Sequence, residues 1–325
     1  MANRIALIRA ATSALVAAGL AVSLPMLAAA QDYPTRPITL IVPYPPGGGV
    51  DLVGRLVGQK LSAALGQQVV VENRGGAGGM IGTRDIAHAK PDGYTLGIML
   101  TGISLSPNAG YDVNKDFSPI GLIASTPIFV VANPSLPAKS LADIVTLAKK
   151  RPGKIAIGTP PSPTLNYFAT KLFDLVAGVD TITVTYRGTA PLTTDVIGNH
   201  VPLGFDTIPA AISNVQSGQL RAIAVTGAQR SAALPDVPTA AESGLPGFDA
   251  VQYYGVTAPA GVPRAIVERL NKELRTMLAD AAFKKRLIEA GDDPAPGTPE
   301  QYAENIKREE GKWAALIKKL GLKVE

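Results

Sequence analysis

Residues 38–65 read ITLIVPYPPGGGVDLVGRLVGQKLSAAL: an apolar run, a turn rich in proline with three consecutive glycines, and an amphipathic run. The first run predicts a buried strand. The last run predicts a helix, because Leu52, Leu56, Leu61 and Leu65 fall near one helical face. Ligands of α/β sheets bind at such strand-to-helix turns, at the carboxyl ends of the strands. The stretch therefore predicts an α/β protein with a binding site beside this turn.

The turn itself indicates what kind of ligand is bound. Gly47, Gly48 and Gly49 carry no side chain, so a ligand can approach the backbone closely. Free N–H groups and the dipole at the start of the helix favour an anion. The turn lacks the Gly-Lys-Ser/Thr ending of a phosphate loop. Neither it nor GGAGGMIG at residues 75–82 has the Gly-x-Gly-x-x-Gly spacing of dinucleotide folds, so a nucleotide is disfavoured.

Apolar, β-branched runs recur along the chain, with helical patterns between most of them. The predicted strands begin at Ile38, Gln68, Tyr94, Pro127, Lys154, Thr181, Leu203, Leu220 and Val251. Long helices are predicted over residues 263–290 and 299–320. This alternation predicts two α/β domains, each a mostly parallel sheet flanked by helices. We expect residues 31–125 and 227–325 to form the first domain and residues 126–226 the second.

The amino terminus has the pattern of an export signal. Arg4 and Arg9 lie near the start, an apolar run covers residues 10–27, and Ala28, Ala29 and Ala30 offer a small-residue cleavage site. We expect residues 1–30 to be removed near Ala30 and the mature chain to be exported. A membrane-spanning helix is the alternative for this segment.

Composition excludes several classes of function. The chain has no cysteine, which excludes disulfides, thiol chemistry and cysteine-based metal sites. Removal of Arg4 and Arg9 with the export signal lowers the formal net charge from +5 to about +3, which is too mild and too evenly spread for nucleic acid binding but is compatible with a small anionic ligand. The only histidines, His88 and His200, do not lie at metal-binding spacing, and no Gly-x-Ser-x-Gly or His-Glu-x-x-His motif occurs. We therefore expect no metal, no cofactor and no enzyme activity.

Three later strand ends lead into turns of the same kind as the glycine turn. Their sequences are GTPPSPT at residues 158–164, RGTAP at residues 187–191 and DTIPA at residues 206–210. Thr164, Thr189, Asp206 and Thr207 stand at the predicted helix starts, where they can cap the helices and also face a crevice. Capping alone is the alternative for each of them. Together the turns outline one site.

Long motifs in this chain resemble those of a known family. Residues 34–96 resemble the amino-terminal signature of the substrate-binding proteins of tripartite tricarboxylate transporters, the Bug or TctC family. YRGTAP at residues 186–191, residues 219–248 and YYGVTAPAGVP at residues 253–263 continue the resemblance. It implies a periplasmic binding protein of the Venus-flytrap type. Such a protein closes on a carboxylated small molecule and passes it to a sodium- or proton-coupled membrane permease.

The resemblance also implies the binding residues. Backbone groups of the first turn would hold one carboxylate, and turns of the second domain would hold the rest of the ligand. The implied ligand-binding residues are Tyr44, Gly47, Gly48, Asp51, Thr159, Ser162, Thr164, Arg187, Thr189 and Asp206. We expect a monomer that binds an aliphatic di- or tricarboxylate or an aromatic carboxylate. The alternatives are an enzyme acting on a carboxylate in the same crevice and a ligand-loaded co-sensor for a membrane receptor.

Two segments depart from the family pattern. The family has a Gly- and Ser-rich turn where this chain has GTPPSPT, and Pro160, Pro161 and Pro163 each remove a backbone donor. Residues 101–117 are also shorter and more apolar than the family pattern. If Ile103 and Leu105 line the cleft, a larger and more apolar ligand would fit it. We therefore expect one carboxylate on the glycine turn and a larger, aromatic body reaching the second domain, rather than a citrate- or malate-like acid.

Overall fold

A computed structural model describes residues 33–100 and 109–322. The export signal expected over residues 1–30 lies outside the described residues, as do Ile103 and Leu105. Within the described ranges, no helix combines the length and the apolar character needed to cross a bilayer.

Helices and strands alternate along the chain. The first part consists of β1 (Ile38–Val42), α1 (Gly49–Leu65), β2 (Val69–Asn73), a 3-10 turn (Ala77–Gly79), α2 (Met80–Ala87), β3 (Thr95–Leu100) and β4 (Phe117–Ala132). The middle consists of α3 (Leu141–Lys150), β5 (Ala156–Thr159), α4 (Leu165–Ala177), β6 (Ile182–Thr185), α5 (Thr189–Ile197), β7 (Leu203–Thr207), α6 (Ile208–Gln216) and β8 (Arg221–Val225). The last part consists of β9 (Val251–Pro259), α7 (Arg264–Ala279), α8 (Ala281–Glu289), β10 (Asp293–Pro294) and α9 (Pro299–Leu320).

All nine predicted strands are confirmed, and three local predictions are wrong. β4 begins at Phe117, well before Pro127, because irregular pairing with β9 accommodates Pro119 and Gly121. The helix predicted over residues 263–290 is split at Asp280. This residue has extended backbone, and its carboxylate accepts from the N–H groups of Ala282 and Phe283 at the start of α8. Leu52 does not join the buried face of α1, since it is 41% exposed.

The sheet has two parallel parts joined by antiparallel strands. Its order is β2-β1-β3-β9-β4-β7-β5-β6, with β8 and β10 also paired to β4. Pairing is parallel within β2-β1-β3 and within β7-β5-β6. Pairing of β9, β7, β8 and β10 with β4 is antiparallel, so each part of the sheet is mixed. We call the part built on β1, β2 and β3 the first lobe and the part built on β5, β6 and β7 the second lobe.

Each lobe has its own apolar core, and α9 reaches both. In the first lobe, α1 and α7 cover the sheet. In the second lobe, α3 and α4 cover it. Tyr302 of α9 packs with Ile41 and Met99 of the first lobe. Trp313 of the same helix stacks on Phe168 of the second lobe, with ring centroids 6.1 Å apart. The domain boundaries drawn from the sequence stay a prediction.

Close packing of α1 on β1 makes a first prediction. A Cβ at Gly54 would lie 2.5 Å from Cγ2 of the fully buried Val42, whereas a Cβ at Gly311 of α9 would meet nothing within 4 Å. Gly54→Ala should lower the free energy of unfolding by about 1–3 kcal/mol, because the core is overpacked. Gly311→Ala should raise it by about 1 kcal/mol, because alanine favours the helix. Urea denaturation measures both, and changes of the same sign would contradict the packing argument.

Candidate functional site

The turns at the carboxyl ends of the two parallel strand sets face each other. A Cβ built at Gly49, after β1, would lie 3.4 Å from Cβ of Pro209, after β7. A Cβ built at Gly78, after β2, would lie 3.8 Å from Cδ of Pro163, after β5. These contacts put the glycine turn of the first lobe opposite the turns of the second lobe. The site is therefore a crevice between the lobes.

Asp51 holds the glycine turn in place. Its buried carboxylate accepts hydrogen bonds from the Gly47 N–H at 2.9 Å, from Arg55 Nε at 3.0 Å and from Asn73 Nδ2 at 2.9 Å. Burial raises the pKa of Asp51, but the hydrogen bonds from Arg55, Gly47 and Asn73 outweigh burial, so this pKa is lowered. Asn73 Nδ2 also donates to the Tyr44 carbonyl at 3.1 Å. Asp51 is thus an ionised group whose hydrogen bonds stay inside the first lobe.

With Gly47 engaged, the free donors of the turn are the N–H groups at the start of α1. The helix begins at Gly49, and its first N–H groups have no partner within the helix. Gly47 has a φ of +91°, the left-handed region that glycine tolerates. Gly48 has extended backbone, with a φ of −88°, and a Cβ there would meet nothing within 4 Å. The turn therefore leaves space for an anion in front of α1.

Tyr44 joins the glycine turn to the next turn of the first lobe. Its hydroxyl donates to the Gly78 carbonyl at 3.0 Å. Gly79 has a φ of +100°, and a Cβ there would lie 3.0 Å from Cζ of the Tyr44 ring, so a side chain at this position would be strained and tightly packed. Burial raises the pKa of Tyr44, which keeps the phenol protonated. Tyr44 and Asp51 together fix the backbone on the first-lobe side of the crevice.

Two hydroxyls of the second lobe are buried without a partner. Thr159, at the end of β5, is fully buried, and its Oγ1 makes no hydrogen bond to any described residue. The Oγ of Ser162 is also buried and unpaired within the described ranges. Buried hydroxyls are normally paired, so these two are available donors for a bound molecule. Thr164 differs, since its Oγ1 donates to the Pro161 carbonyl at 2.7 Å and caps α4.

The turn after β6 presents a cation. Arg187 is exposed, and no other described side chain forms an ion pair with it. Thr189 is the first residue of α5, whose N-cap is Gly188, so Thr189 is not the cap that the sequence predicts. Thr207 is the N-cap of α6 but makes no side-chain capping bond. Capping therefore accounts for the Thr164 hydroxyl alone among these threonines.

Asp206 is a buried carboxyl at the end of β7. It is fully buried, and it accepts hydrogen bonds from the Thr207 N–H at 2.8 Å and from Thr193 Oγ1 at 3.3 Å. Burial raises the pKa of Asp206 to about 7, although both hydrogen bonds lower it. Near neutral pH this group is therefore partly protonated and can either donate or accept a hydrogen bond.

Sequence reasoning missed Asn73, Thr193 and Tyr254, a buried residue whose hydroxyl oxygen lies 3.9 Å from the position of a Cβ at Gly49. Asn73 ends β2, so a polar residue at a strand end was its only signal. Thr193 lies inside α5 and Tyr254 inside β9, where no turn motif marks them. Within the described residues, no group of three potential metal ligands occurs. The crevice thus offers N–H groups, hydroxyls, one guanidinium and one titrating carboxyl.

Comparison with known proteins identifies the family. The sequence model of one protein family, the tripartite tricarboxylate transporter family receptor, matches residues 53–322 of this chain. Protein BugT of Bordetella pertussis is 36% identical over 302 residues, which cover 91% of this chain and 93% of BugT. The structure of Rpa4515 from R. palustris with adipate has 34% identity and a TM-score of 0.80, covering 89% of this chain and 99% of that one. The structure of MatC from Rhodopseudomonas palustris with bound malate has 29% identity and a TM-score of 0.77. The alignment covers 88% of this chain and 100% of the MatC chain.

These matches confirm the resemblance seen in the motifs. The fold is that of periplasmic binding proteins, as expected from the sequence. The family and the similar proteins are substrate-binding receptors rather than enzymes. Because the family model covers most of the chain, this protein belongs to the receptor family of tripartite tricarboxylate transporters.

Proposed function

We propose that this protein captures a small carboxylate in the crevice between its lobes and delivers it to the permease of a tripartite membrane transporter. The observation that carries the proposal is the presence of unpaired hydrogen-bond donors on both sides of the crevice. The first N–H groups of α1 lie on one side, and the unpaired hydroxyls of Thr159 and Ser162 lie on the other. Because these donors have no acceptor within the described part of the protein, they are suited to bind an anionic ligand.

The proposal gives each lobe a separate task. In the first lobe, the N–H groups at Gly48 and Gly49 hold one carboxylate, while Tyr44, Gly47 and Asp51 keep the turn in shape. In the second lobe, hydroxyl groups, the guanidinium and one buried carboxyl hold the distal end of the ligand. These second-lobe residues are Thr159, Ser162, Arg187, Thr189 and Asp206, with Thr164 fixing the start of α4. A ligand that contacts both lobes favours the closed arrangement.

The proposal also covers the export of the chain and its division into two domains. We infer export, cleavage near Ala30 and action as a periplasmic monomer. We also keep residues 31–125 with 227–325 as one domain and residues 126–226 as the other. The pairing of β4 supports this division, because β4 pairs with β9 up to Pro127 and with β7 from Ile128 onward.

The ligand class follows from the turn after β5. Adipate and malate in the similar structures support a carboxylate. In this chain, Pro160, Pro161 and Pro163 remove three backbone donors from the turn, so the distal end of the ligand meets hydroxyls and proline rings. We infer a ligand with one carboxylate on the glycine turn and a larger, aromatic body reaching the second lobe.

Competition binding tests the ligand class. Benzoate should bind more tightly than citrate, malate or glutamate, with adipate as a further aliphatic comparison. A thermal-shift screen finds binders first, since a ligand at a hundredfold excess over its Kd stabilises by about 2.7 kcal/mol. A preference for malate or citrate would contradict the aromatic body. If no carboxylate stabilises the protein, the proposed function itself is wrong.

Gly48→Val tests the glycine turn. Valine enters without backbone strain, because the φ of Gly48 is −88° and the position is open. Its side chain should block the carboxylate and weaken binding about tenfold or more, as measured by calorimetry. Gly311→Ala, in α9, is the control and should bind like the wild type. Undiminished affinity in Gly48→Val would mean that the turn is only a connection.

Asp206 predicts a pH dependence of binding. Its pKa is raised to about 7 in the folded protein, so the carboxyl is neutral below that pH and ionised above it. An anionic ligand should therefore bind more weakly as pH rises from 6 to 8.5, by about tenfold, because a second negative charge appears in the crevice. Asp206→Asn should lose this component, whereas the control Asp236→Asn, at an exposed position, should keep it. If the affinity of the wild type and of Asp206→Asn depends on pH in the same way, Asp206 is not part of the binding site.

A further inference from the structure

Another buried carboxyl, that of Asp292, lies outside the residues discussed so far. Asp292 is fully buried, and the Tyr254 hydroxyl lies beside its carboxyl group, which has no cation and no other hydrogen-bond partner among the described residues. Burial and the neighbouring Asp293 raise the pKa of Asp292 well above its usual value, whereas the Tyr254 hydroxyl lowers it. An ionised carboxylate with no cation and only one hydroxyl beside it is strongly disfavoured inside a protein. Asp292 is therefore a neutral carboxyl group.

Asp292 lies where the two lobes join. The preceding residue, Gly291, packs against the start of α6, since a Cβ there would lie 2.8 Å from the Pro209 nitrogen. The Gly291 carbonyl accepts from Thr126 Oγ1 at 3.2 Å. The following residue, Asp293, pairs with Ser125 of β4. These contacts hold Asp292 beside the strand that passes from one lobe to the other.

Tyr254 stands between Asp292 and the glycine turn. It is a buried residue of β9, paired with Leu100 on one side and Ala124 on the other. Its hydroxyl oxygen lies 3.9 Å from the position of a Cβ at Gly49. Burial, Asp292 and Tyr44 all raise the pKa of Tyr254, so the phenol keeps its proton. Tyr254 thus places one hydroxyl beside Gly49, on the side of that residue that also faces Pro209 of the second lobe.

The protonation state of Asp292 decides what Tyr254 can do. A neutral Asp292 can donate its own proton to the phenol oxygen, and the Tyr254 O–H then remains free to donate toward the turn. An ionised Asp292 would instead accept a hydrogen bond from the Tyr254 O–H and bring a negative charge close to the ligand. The other groups that face this pair are Asp293 from β10 and Tyr44 from the first lobe. Neither of them is a cation that would favour an ionised Asp292.

We propose that Tyr254 is a further ligand contact and that Asp292 is a positioning residue, whose neutral carboxyl keeps the Tyr254 proton free for a carboxylate on the glycine turn. The inference rests on the proposed function, because it requires an anion in front of α1. It adds a donor from β9 to the donors of the two facing turns.

Calorimetry with benzoate and adipate as probes tests the contact. Tyr254→Phe should weaken binding about tenfold or more, because a hydrogen bond to a charged group is lost. Tyr253→Phe is the matched control: Tyr253 adjoins Tyr254 on β9, but its ring lies beside Arg308 of α9, at 5.8 Å. This control should bind as the wild type does. Unchanged affinity in Tyr254→Phe would overturn the contact.

Asp292→Asn tests the positioning role. The amide keeps a donor beside Tyr254 without a charge, so binding should stay within about threefold of the wild type at pH 7. A loss beyond tenfold would show that the negative charge is required and would overturn the proposal. Infrared difference spectra of wild type minus Asp292→Asn should show a neutral carboxyl band at pH 7, and a carboxylate band there would also overturn it. This readout needs no ligand, so it separates a failure at Asp292 from a failure of the proposed function.

Discussion

A single strand belongs to both lobes, and the rest of the architecture depends on it. Every buried N–H and C=O group of β4 needs a partner, so strands must cover it along its whole length. β9 covers its first part, and β7 and β8 cover its last part. The parallel strands of each lobe then continue outward from this antiparallel centre. Their carboxyl ends meet at the crevice because the two sets extend from opposite ends of one strand.

Within the crevice, hydrogen bonds separate groups that build the site from groups that remain available. The Asp51 carboxylate accepts hydrogen bonds from Gly47, Arg55 and Asn73. The Thr164 hydroxyl donates to the Pro161 carbonyl and caps α4. Thr159 and Ser162 have no such partner among the described residues. The distinction cannot be read from residue type, because threonine occurs in both groups. It follows from which backbone groups lie within reach.

Much of the fold could be predicted from the sequence, because it is encoded locally. Runs of β-branched residues and the turns between them were enough to predict β1 to β9. The start of β4 was missed because Pro119 and Gly121 normally end a strand, and only pairing with the distant β9 overrides that preference. Tyr254 and Asp292 were missed for the same reason: their proximity comes from the tertiary fold, and neither stands in a motif. Glycine turns could be found because glycine is itself the local signal.

The packing of α9 on both lobes has a mechanical consequence. Tyr302 anchors the helix in the first lobe, and Trp313 anchors it in the second. A rotation of the lobes that moves the two anchors relative to each other would bend α9 or separate Trp313 from Phe168. Separation exposes large apolar rings to water, whereas bending deforms hydrogen bonds near Gly311, where no side chain resists it. The segment of α9 between Tyr302 and Trp313 therefore connects the apolar cores of the two lobes.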